Sequence, residues 1–289
     1  MTPALWGFTA ALCWGTTEYV ARLSGRGIGP TNSLLGMFIA SSIVVSLWMW
    51  IDGSPLIWVA EGAHWLLLTG VGFAAGLLLL FASLTRGPVS VASPVVASYP
   101  VFIVLGALGL GIIPTLTQGI AIVVVLGGVW VVARYAHPEK AGDGSTDADK
   151  RIWPTVALGI ASAVLFAVGV MAGRQAAEIY GELQSLWLNR LVALSCLVLF
   201  MLVTRTAVRL PKQWWPAFIA MGVLDALGVI TIFLGTAGEG AAVAAAASAP
   251  ATVVTTILAA VFLHERVPLI QWSGIGAVVA GAAGLAFYG

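Results

Sequence analysis

Residues 88–111 read PVSVASPVVASYPVFIVLGALGLG, and residues 240–262 read GAAVAAAASAPATVVTTILAAVF. Each stretch is long enough to cross about 30 Å of hydrocarbon, because a helical span needs about 20 residues. Each also carries a proline near its middle, Pro100 in the first and Pro250 in the second. A proline inside a helix lacks an N–H and displaces the carbonyl four residues earlier. The sequence therefore predicts two membrane spans with matched kinks and freed carbonyl groups.

The composition of the whole chain agrees with this prediction. Of its 289 residues, 60% are hydrophobic and 9% are charged, against about 25% charged residues in soluble domains. Such a chain cannot build an ordinary water-facing surface. Its net charge of +1 favours neither nucleic-acid binding nor a polybasic patch. Cys13 and Cys196 fall in apolar stretches, which predicts buried thiols that act as small hydrophobic groups.

The charges and turn residues divide the chain into ten apolar segments of spanning length. They lie near residues 3–23, 31–51, 64–84, 88–111, 116–134, 153–175, 184–204, 214–235, 240–262 and 268–288. The prediction is an all-α integral membrane protein with ten transmembrane helices.

The positions of lysine and arginine predict the orientation of these helices. Eleven of the thirteen lie at or in the odd-numbered connections. The positive-inside rule places those connections in the cytoplasm and both termini outside. The membrane is expected to be a bacterial-type inner membrane. Residues 136–152 are mixed in charge and contain glycine, which is typical of a flexible linker. They separate a first unit at 1–135 from a second at 153–289.

The two units resemble each other in sequence. A shift of 152 residues places Gly7 on Gly159, Ala11 on Ala163, Arg22 on Arg174 and Ser33 on Ser185, and a shift of 150 places Ala97-Ser98-Tyr99-Pro100 on Ala247-Ser248-Ala249-Pro250. Because five helices is an odd number, the second copy should enter the membrane from the opposite side. Inverted repeats of this kind are typical of secondary carriers, and matched discontinuities indicate a binding site at the midplane. A packing kink without ligand contact is the alternative.

Several short motifs carry a family resemblance. They are Trp14-Gly15-Thr16-Thr17 followed by Arg22, Asn189-Arg190, Pro100 and Pro250, and Leu263-His264-Glu265-Arg266 leading into Gln271 and Gly281. In their order and spacing, over essentially the whole chain, they resemble the drug/metabolite transporter superfamily, in its ten-helix branch with two EamA-type repeats. The resemblance implies that helices one to four and six to nine enclose a central cavity, while helices five and ten pack outside it.

Two departures limit what the resemblance implies. The first repeat has Pro114-Thr115-Leu116 where the second has His264-Glu265-Arg266. Glu18 also lies about one turn later than the glutamate that related small multidrug exporters use for proton coupling. The role of that glutamate is therefore not transferred to Glu18.

Ionisable residues inside the spans indicate a candidate site, since a charge at the bilayer centre costs at least about 2.5 kcal/mol. Asp225 lies almost at the centre of the eighth helix, and Arg190, beside Asn189 in the seventh, is expected to reach it. One interpretation is that Arg190 binds a substrate anion while Asp225 carries a proton or pairs with an amine. The other is a static ion pair. Glu18 precedes Arg22 by one turn, which favours either an intrahelical pair or a proton-carrying Glu18.

The candidate residues form three groups. The substrate-binding candidates are Asp225, Arg190, Asn189, Trp14, Trp187, Ser98, Tyr99 and Ser248. The coupling candidates are Asp225 and Glu18, and the helix kinks are at Pro100 and Pro250. Hydroxyl groups in membrane helices also bond their own backbone, so a structural role is the alternative for each serine.

The sequence favours a transporter over an enzyme. The three histidines are scattered, and no catalytic, metal-binding or cofactor motif occurs. The inverted repeat predicts alternating access. The family resemblance implies secondary active transport of small organic metabolites, amino acids or similar, with protons or exchange as the driving force and with export, the common bacterial role of the family, favoured. A multidrug or lipid-linked substrate carrier and a channel are the alternatives. The expected partners are a small-molecule substrate, the lipid bilayer and, if coupling holds, protons; nucleic acid is not expected, and a monomer is compatible with the pattern.

Overall fold

The computed structural model describes residues 2–53, 55–109, 111, 113–136, 148–236 and 241–288. The regular structure of these residues is entirely helical. The helices are α1 (Pro3–Ile28), α2 (Pro30–Asp52), α3 (Ala63–Arg86), α4 (Val89–Val96), α5 (Tyr99–Gly109), α6 (Leu116–Arg134), α7 (Ala148–Tyr180), α8 (Glu182–Val203), α9 (Trp215–Thr236), α10 (Ala241–Ser248), α11 (Ala251–Phe262) and α12 (Leu269–Tyr288). The predicted all-α membrane fold is confirmed.

The helices match the predicted spans closely. When α4 is joined to α5 and α10 to α11, nine spans within the described residues are long and apolar enough to cross a membrane. Helix α1, which is 26 residues long, is not among the nine. The count of ten transmembrane helices therefore stays a prediction. Helix α7 begins inside the predicted linker, at Ala148, and residues 137–147 of that linker lie outside the described residues.

Both predicted discontinuities are present, and each lies just before or at its proline. The first span breaks at residues 97–98, and Pro100 lies in the first turn of α5. The second breaks at residues 249–250, where Pro250 precedes α11. Proline is well tolerated at the start of a helix, because the N–H it lacks would have no intrahelical partner there. Each proline thus begins a second half-helix instead of bending a continuous one.

The two breaks share a hydrogen-bond pattern. The hydroxyl of Ser98 donates to the carbonyl of Val95 at 2.6 Å, and that of Ser248 donates to the carbonyl of Ala245 at 2.8 Å. The carbonyl four residues before Pro250, predicted to be free, instead accepts the N–H of Ala249 at 3.2 Å. That prediction is wrong because a tight turn forms at the break and satisfies the carbonyl locally.

Corresponding corners of the two units also have the same conformation. Gly29 joins α1 to α2 with φ 87° and ψ 152°, and Gly181, 152 residues later, joins α7 to α8 with φ 77° and ψ 158°. Only glycine adopts such angles without strain. The sequence repeat is therefore also a repeat of backbone geometry.

A carboxamide follows each of these corners and binds a loop of the other unit. Asn32 accepts the N–H of Arg209 at 2.9 Å and donates to the carbonyl of Ala207 at 3.3 Å. Its equivalent, Gln184, accepts the N–H of Ile57 at 2.9 Å and donates to the carbonyl of the same residue. We call these two groups the amide clamps. Each fastens one unit to the other at a different end of the bundle.

These contacts define two sides of the molecule. On one side, which we call the basic side, Asn32 and Arg22 connect the α1–α2 corner to the α8–α9 loop, the α3–α4 corner and the α11–α12 corner. On the other, which we call the opposite side, Gln184 and the hydroxyl of Tyr180 connect the α7–α8 corner to the α2–α3 loop.

Glycines allow the closest helix contacts. A Cβ added at Gly7 of α1 would lie 2.1 Å from the carbonyl oxygen of Ala244 in α10, and one added at Gly128 of α6 would lie 2.7 Å from that of Gly274 in α12. Lipid tails are as apolar as leucine, so membrane helices associate by close packing of small residues. Helices α6 and α12 form one such tight pair, and α1 and α10 form another.

Candidate functional site

A cavity of about 530 Å³ lies between the two units. Its lining includes residues from α1 to α5 and from α7 to α12, with none from α6 among the described residues. The resemblance implied that the fifth and tenth helices pack outside the cavity. Helix α12, which corresponds to the tenth predicted span, departs from that expectation, because Ala282 and Ala286 contribute to the wall. Both units therefore supply the surface of one shared cavity.

The cavity reaches the protein surface on the opposite side. Ala177 and Glu182, at the α7–α8 corner, belong to its lining, and Glu182 is exposed. Towards the basic side the lining on α1 ends at Glu18, one turn before Arg22. Within the part of the chain that the structure describes, the lining reaches the surface at the end of the bundle where α7 meets α8, and we call this end of the cavity its mouth.

Arg190 and Asp225 form the predicted ion pair in the wall of the cavity. Arg190 Nη2 lies 3.0 Å from Asp225 Oδ2, and both side chains are more than 90% buried. Ser41 of α2 donates its hydroxyl to the same carboxylate oxygen at 2.8 Å. Arg190 Nε and Asn189 Oδ1 are buried and have no hydrogen-bond partner among the described residues. Both atoms keep unused hydrogen-bonding capacity, and both belong to residues that line the cavity.

Glu18 has different partners from those expected. Its Oε2 accepts the hydroxyl of Ser93 from α4 and, at 2.9 Å, the hydroxyl of Thr255 from α11. The predicted pair between Glu18 and Arg22 does not form, since Arg22 turns towards the α3–α4 corner. Glu18 is left as a carboxylate held by hydroxyl groups of both units, and it lines the cavity.

Arg22 is fully buried on the basic side. It donates to the carbonyls of Leu84 and Gly87, the latter at 2.6 Å, and its Nη2 lies 3.9 Å from Glu265 Oε1. Glu265 in turn accepts the N–H groups of Val89 and Ser90, at 2.9 and 3.1 Å. We call the contacts of Arg22 and Glu265 with residues 84–90 the basic-side latch.

Six of the eight predicted substrate-binding residues line the cavity: Trp14, Tyr99, Asn189, Arg190, Asp225 and Ser248. Trp187 and Ser98 do not. The indole of Trp187 donates to Ser46 of α2 at 2.9 Å, on another face of α8. Ser98 is buried in the helix break, where its hydroxyl binds its own backbone. For these two residues the span was predicted well, but the face of the helix was not.

An aromatic wall was not foreseen. Phe166 packs edge-on against Phe73 with ring centroids 5.7 Å apart, and Tyr99 lies 6.5 Å from the same ring. Phe166 stands 152 residues after Trp14, which also lines the cavity. The repeat could have indicated Phe166, because Phe166 is the equivalent of Trp14, which was already a candidate. No signal in the sequence indicated Ser41 or Thr255, whose roles depend on helix contacts.

The side chains that line the cavity are mostly apolar, with a few polar groups among them. Among the described residues, no group of three or more His, Cys, Asp and Glu side chains is arranged to hold a metal ion. The polar groups lie in a lining formed largely of aromatic and aliphatic side chains. Such a lining suits a small organic molecule with one or two charged groups.

Comparisons with known proteins agree with this architecture. The model of the EamA-like transporter family matches residues 1–134 and again residues 153–287. One solved crystal structure resembles this fold with a TM-score of 0.65 and 21% sequence identity, over 98% of this chain and 95% of the other. A search of curated proteins found no match. Because the family model covers both halves, this chain belongs to the EamA-like transporter family, within the drug/metabolite transporter superfamily.

Proposed function

We propose that this transporter is a secondary carrier of small organic solutes that contain an amino group, such as amino acids and related amines, across the inner membrane. The supporting observation is the charge of the cavity. Among the residues that the structure describes, its lining contains three carboxylates, Glu18, Asp225 and Glu182, and one cation, Arg190. Arg190 pairs with Asp225, which leaves Glu18 and Glu182. Glu182 is exposed at the mouth of the cavity, so Glu18 is the carboxylate proposed to bind an ammonium group. Phosphorylated or other anionic solutes are disfavoured by the same excess of negative charge.

The second charged end of the substrate would bind across the cavity. Arg190 Nε is a buried donor with no partner among the described residues, and a carboxylate is the ligand that a guanidinium prefers. A zwitterionic amino acid would therefore place its ammonium group at Glu18 and its carboxylate at Arg190. The aromatic wall would take an apolar side chain.

The division of the site between the two units supports alternating access. Glu18 comes from the first unit, while Arg190 and Asp225 come from the second. If the units rock against each other, one site faces each side in turn. A proton and an ammonium group would compete for Glu18, so we propose that they move in opposite directions. With the proton gradient of a bacterial inner membrane directed inward, this competition gives export.

Two other functions compete with this proposal. A carrier of drugs or of lipid-linked molecules is favoured by the aromatic wall, which suits a hydrophobic amphiphile. A channel is disfavoured, because the cavity has a mouth on the opposite side while the basic-side latch lies beneath its other end.

The decisive experiment is transport by the purified protein in liposomes. The panel should contain amino acids, amines, lipophilic cations and anionic metabolites, with and without a pH gradient. We expect saturable counterflow of amino-group solutes, accelerated by a pH gradient of opposite direction. Counterflow limited to lipophilic cations would favour the drug carrier, and non-saturable flux would favour a channel. If Asp225→Asn and Arg190→Ala both transport like the unaltered protein, the assigned site is wrong.

A further inference from the structure

We propose that Arg22 and Glu265 form the gate that closes the cavity on the basic side, and that this gate biases the resting protein towards opening on the opposite side. This inference rests on the proposed alternating access. Both residues are positioning residues, since neither belongs to the lining of the cavity. Their contacts, their place beneath the cavity and the asymmetry of the two units each support the proposal.

The first support is that the latch binds both sides of the α3–α4 corner, the end of α3 and the start of α4. The guanidinium of Arg22 binds the carbonyls of Leu84 and Gly87, at the C-terminal end of α3. Carbonyls at a helix end lack intrahelical donors and carry partial negative charge, so a cation stabilises them. Arg22 is 0% exposed, so this interaction takes place away from water.

Glu265 performs the complementary task at the start of α4. Its two carboxylate oxygens accept the N–H groups of Val89 and Ser90, which carry the partial positive charge of a helix N-terminus. Glu265 belongs to the second unit, while the corner belongs to the first. Gln271, also from the second unit, donates to the carbonyl and hydroxyl oxygens of Ser90 at 3.3 and 3.4 Å. The latch therefore fastens one unit to the other.

The second support is the position of the latch directly beneath the cavity. Glu18 lines the cavity and Arg22 follows it by one helical turn on α1. Ser93 lines the cavity and Val89 precedes it by one turn on α4. Opening the cavity to the basic side requires α1, the α3–α4 corner and the α11–α12 corner to separate. The contacts of Glu265 with the start of α4 and with Arg22 are among those that must break.

The third support is that the two units differ at the acidic position. Where the second unit has Glu265, the first has Pro114-Thr115-Leu116, and the hydroxyl of Thr115 accepts the N–H of Gln118 at the start of its own helix, α6. Arg174, the equivalent of Arg22, is exposed. Within the described residues, the opposite side thus has no carboxylate that corresponds to Glu265. Unequal gates give unequal populations of the two states.

The sidedness of cysteine labelling tests this gate without knowledge of the substrate. The reporter is a single cysteine in the cavity wall, Ala249→Cys, and the native cysteines are removed by Cys13→Ala and Cys196→Ala. Vesicles of both orientations are treated with a membrane-impermeant maleimide. We expect labelling from the opposite side in the parent. In Glu265→Gln, labelling from the basic side should rise about tenfold, since a charged buried hydrogen bond shifts a two-state equilibrium by at least that factor. Glu178→Gln, an exposed glutamate of α7, is the control and should match the parent.

Unchanged sidedness in both Glu265→Gln and Arg22→Lys would overturn the proposal. If Glu265→Gln does not fold, a cross-link between Ser90→Cys and Gln271→Cys provides the second test. A short cleavable thiol cross-linker should stop counterflow and leave the reporter accessible from the opposite side, and cleavage should restore counterflow. Continued counterflow in the cross-linked protein would also overturn the gate. The gate and the proposed substrate class can fail separately. If the labelling is as expected but amines are not transported, the substrate class is wrong and the gate stands.

Discussion

Glu18 lies in an apolar cavity with two hydroxyl donors as its polar partners. Hydroxyl groups orient a carboxylate but do not neutralise it, whereas the carboxylate of Asp225 is neutralised by Arg190. A charge inside a membrane span without a counter-charge is costly, so a proton or a substrate cation binds it favourably. The two membrane carboxylates are therefore suited to different tasks. In the proposed mechanism, Glu18 exchanges partners, while Asp225 holds Arg190 in position.

Glu18→Gln should abolish transport that is driven by a pH gradient, because an amide neither releases a proton nor attracts an ammonium group. The measurement is solute flux in liposomes with an imposed pH gradient, and the flux should fall to that of protein-free liposomes. The matched control is Glu178→Gln, which makes the same chemical change on the exposed surface of α7 and should retain parental flux. Gradient-driven transport by Glu18→Gln would remove Glu18 from the coupling mechanism.

The ion pair of Arg190 and Asp225 should couple strongly in a double-mutant cycle. Arg190→Met alone leaves a buried carboxylate and should destabilise the protein by about 3 kcal/mol. Adding Asp225→Asn should recover most of that loss, measured as the thermal midpoint in detergent. We expect the double variant to be folded but inactive in counterflow. A double variant that transports normally would show that the pair is a static structural element.

At the scale of the helix, the run of alanines in α10 is compatible with close helix packing or with a cavity wall, and α10 serves as both. It packs closely against α1, where Gly7 would clash with Ala244 if it carried a side chain, and its Ala245 lines the cavity. Small residues serve both purposes, because they bring backbones together and leave space for a ligand. At the two helix breaks, the hydroxyls of Ser98 and Ser248 bind backbone carbonyls. These breaks allow α4 and α10 to end at the depth of the site.

Gly7→Val should disrupt the contact of α1 with α10. The added Cβ would lie 2.1 Å from the Ala244 oxygen, and overpacking of this kind costs about 1–3 kcal/mol. We expect a lower thermal midpoint and reduced flux. Gly276→Val is the matched control, since an added Cβ at this exposed position of α12 meets nothing within 4 Å. Equal midpoints for the two variants would contradict the close helix contact.

At the scale of the whole molecule, the two units exchange equivalent interactions. Gly29 and Gly181 have nearly the same dihedral angles, and the amide clamps of Asn32 and Gln184 each bind a loop of the other unit. Such reciprocity is the mark of two copies related by an approximate twofold axis. The latch at Glu265 is the main departure from it among the described residues, and in our proposal it biases the resting protein towards opening on the opposite side.

Inverted topology predicts that equivalent positions emerge on opposite faces of the membrane. Arg26 and Glu178 are 152 residues apart and both are exposed. Single cysteines, Arg26→Cys and Glu178→Cys in a background without other cysteines, should react with an impermeant maleimide from opposite sides. The positive-inside rule further predicts that Arg26→Cys reacts from the cytoplasm. Labelling of both from one side would contradict inversion.

The sequence by itself determined the spans, their two breaks and the membrane setting, because each depends on local composition, proline and spanning length. It also indicated the Arg190–Asp225 pair, since two opposite charges inside lipid-embedded helices need each other. Only the tertiary structure decided which partner each remaining side chain takes. Arg22 could bind Glu18 within its own helix, but the α3–α4 corner offers two carbonyls and a nearby carboxylate. The faces of Trp187 and Ser98, and the hydroxyl groups around Glu18, depend on the rotation of neighbouring helices. No local pattern encodes that rotation in spans that are apolar on every face.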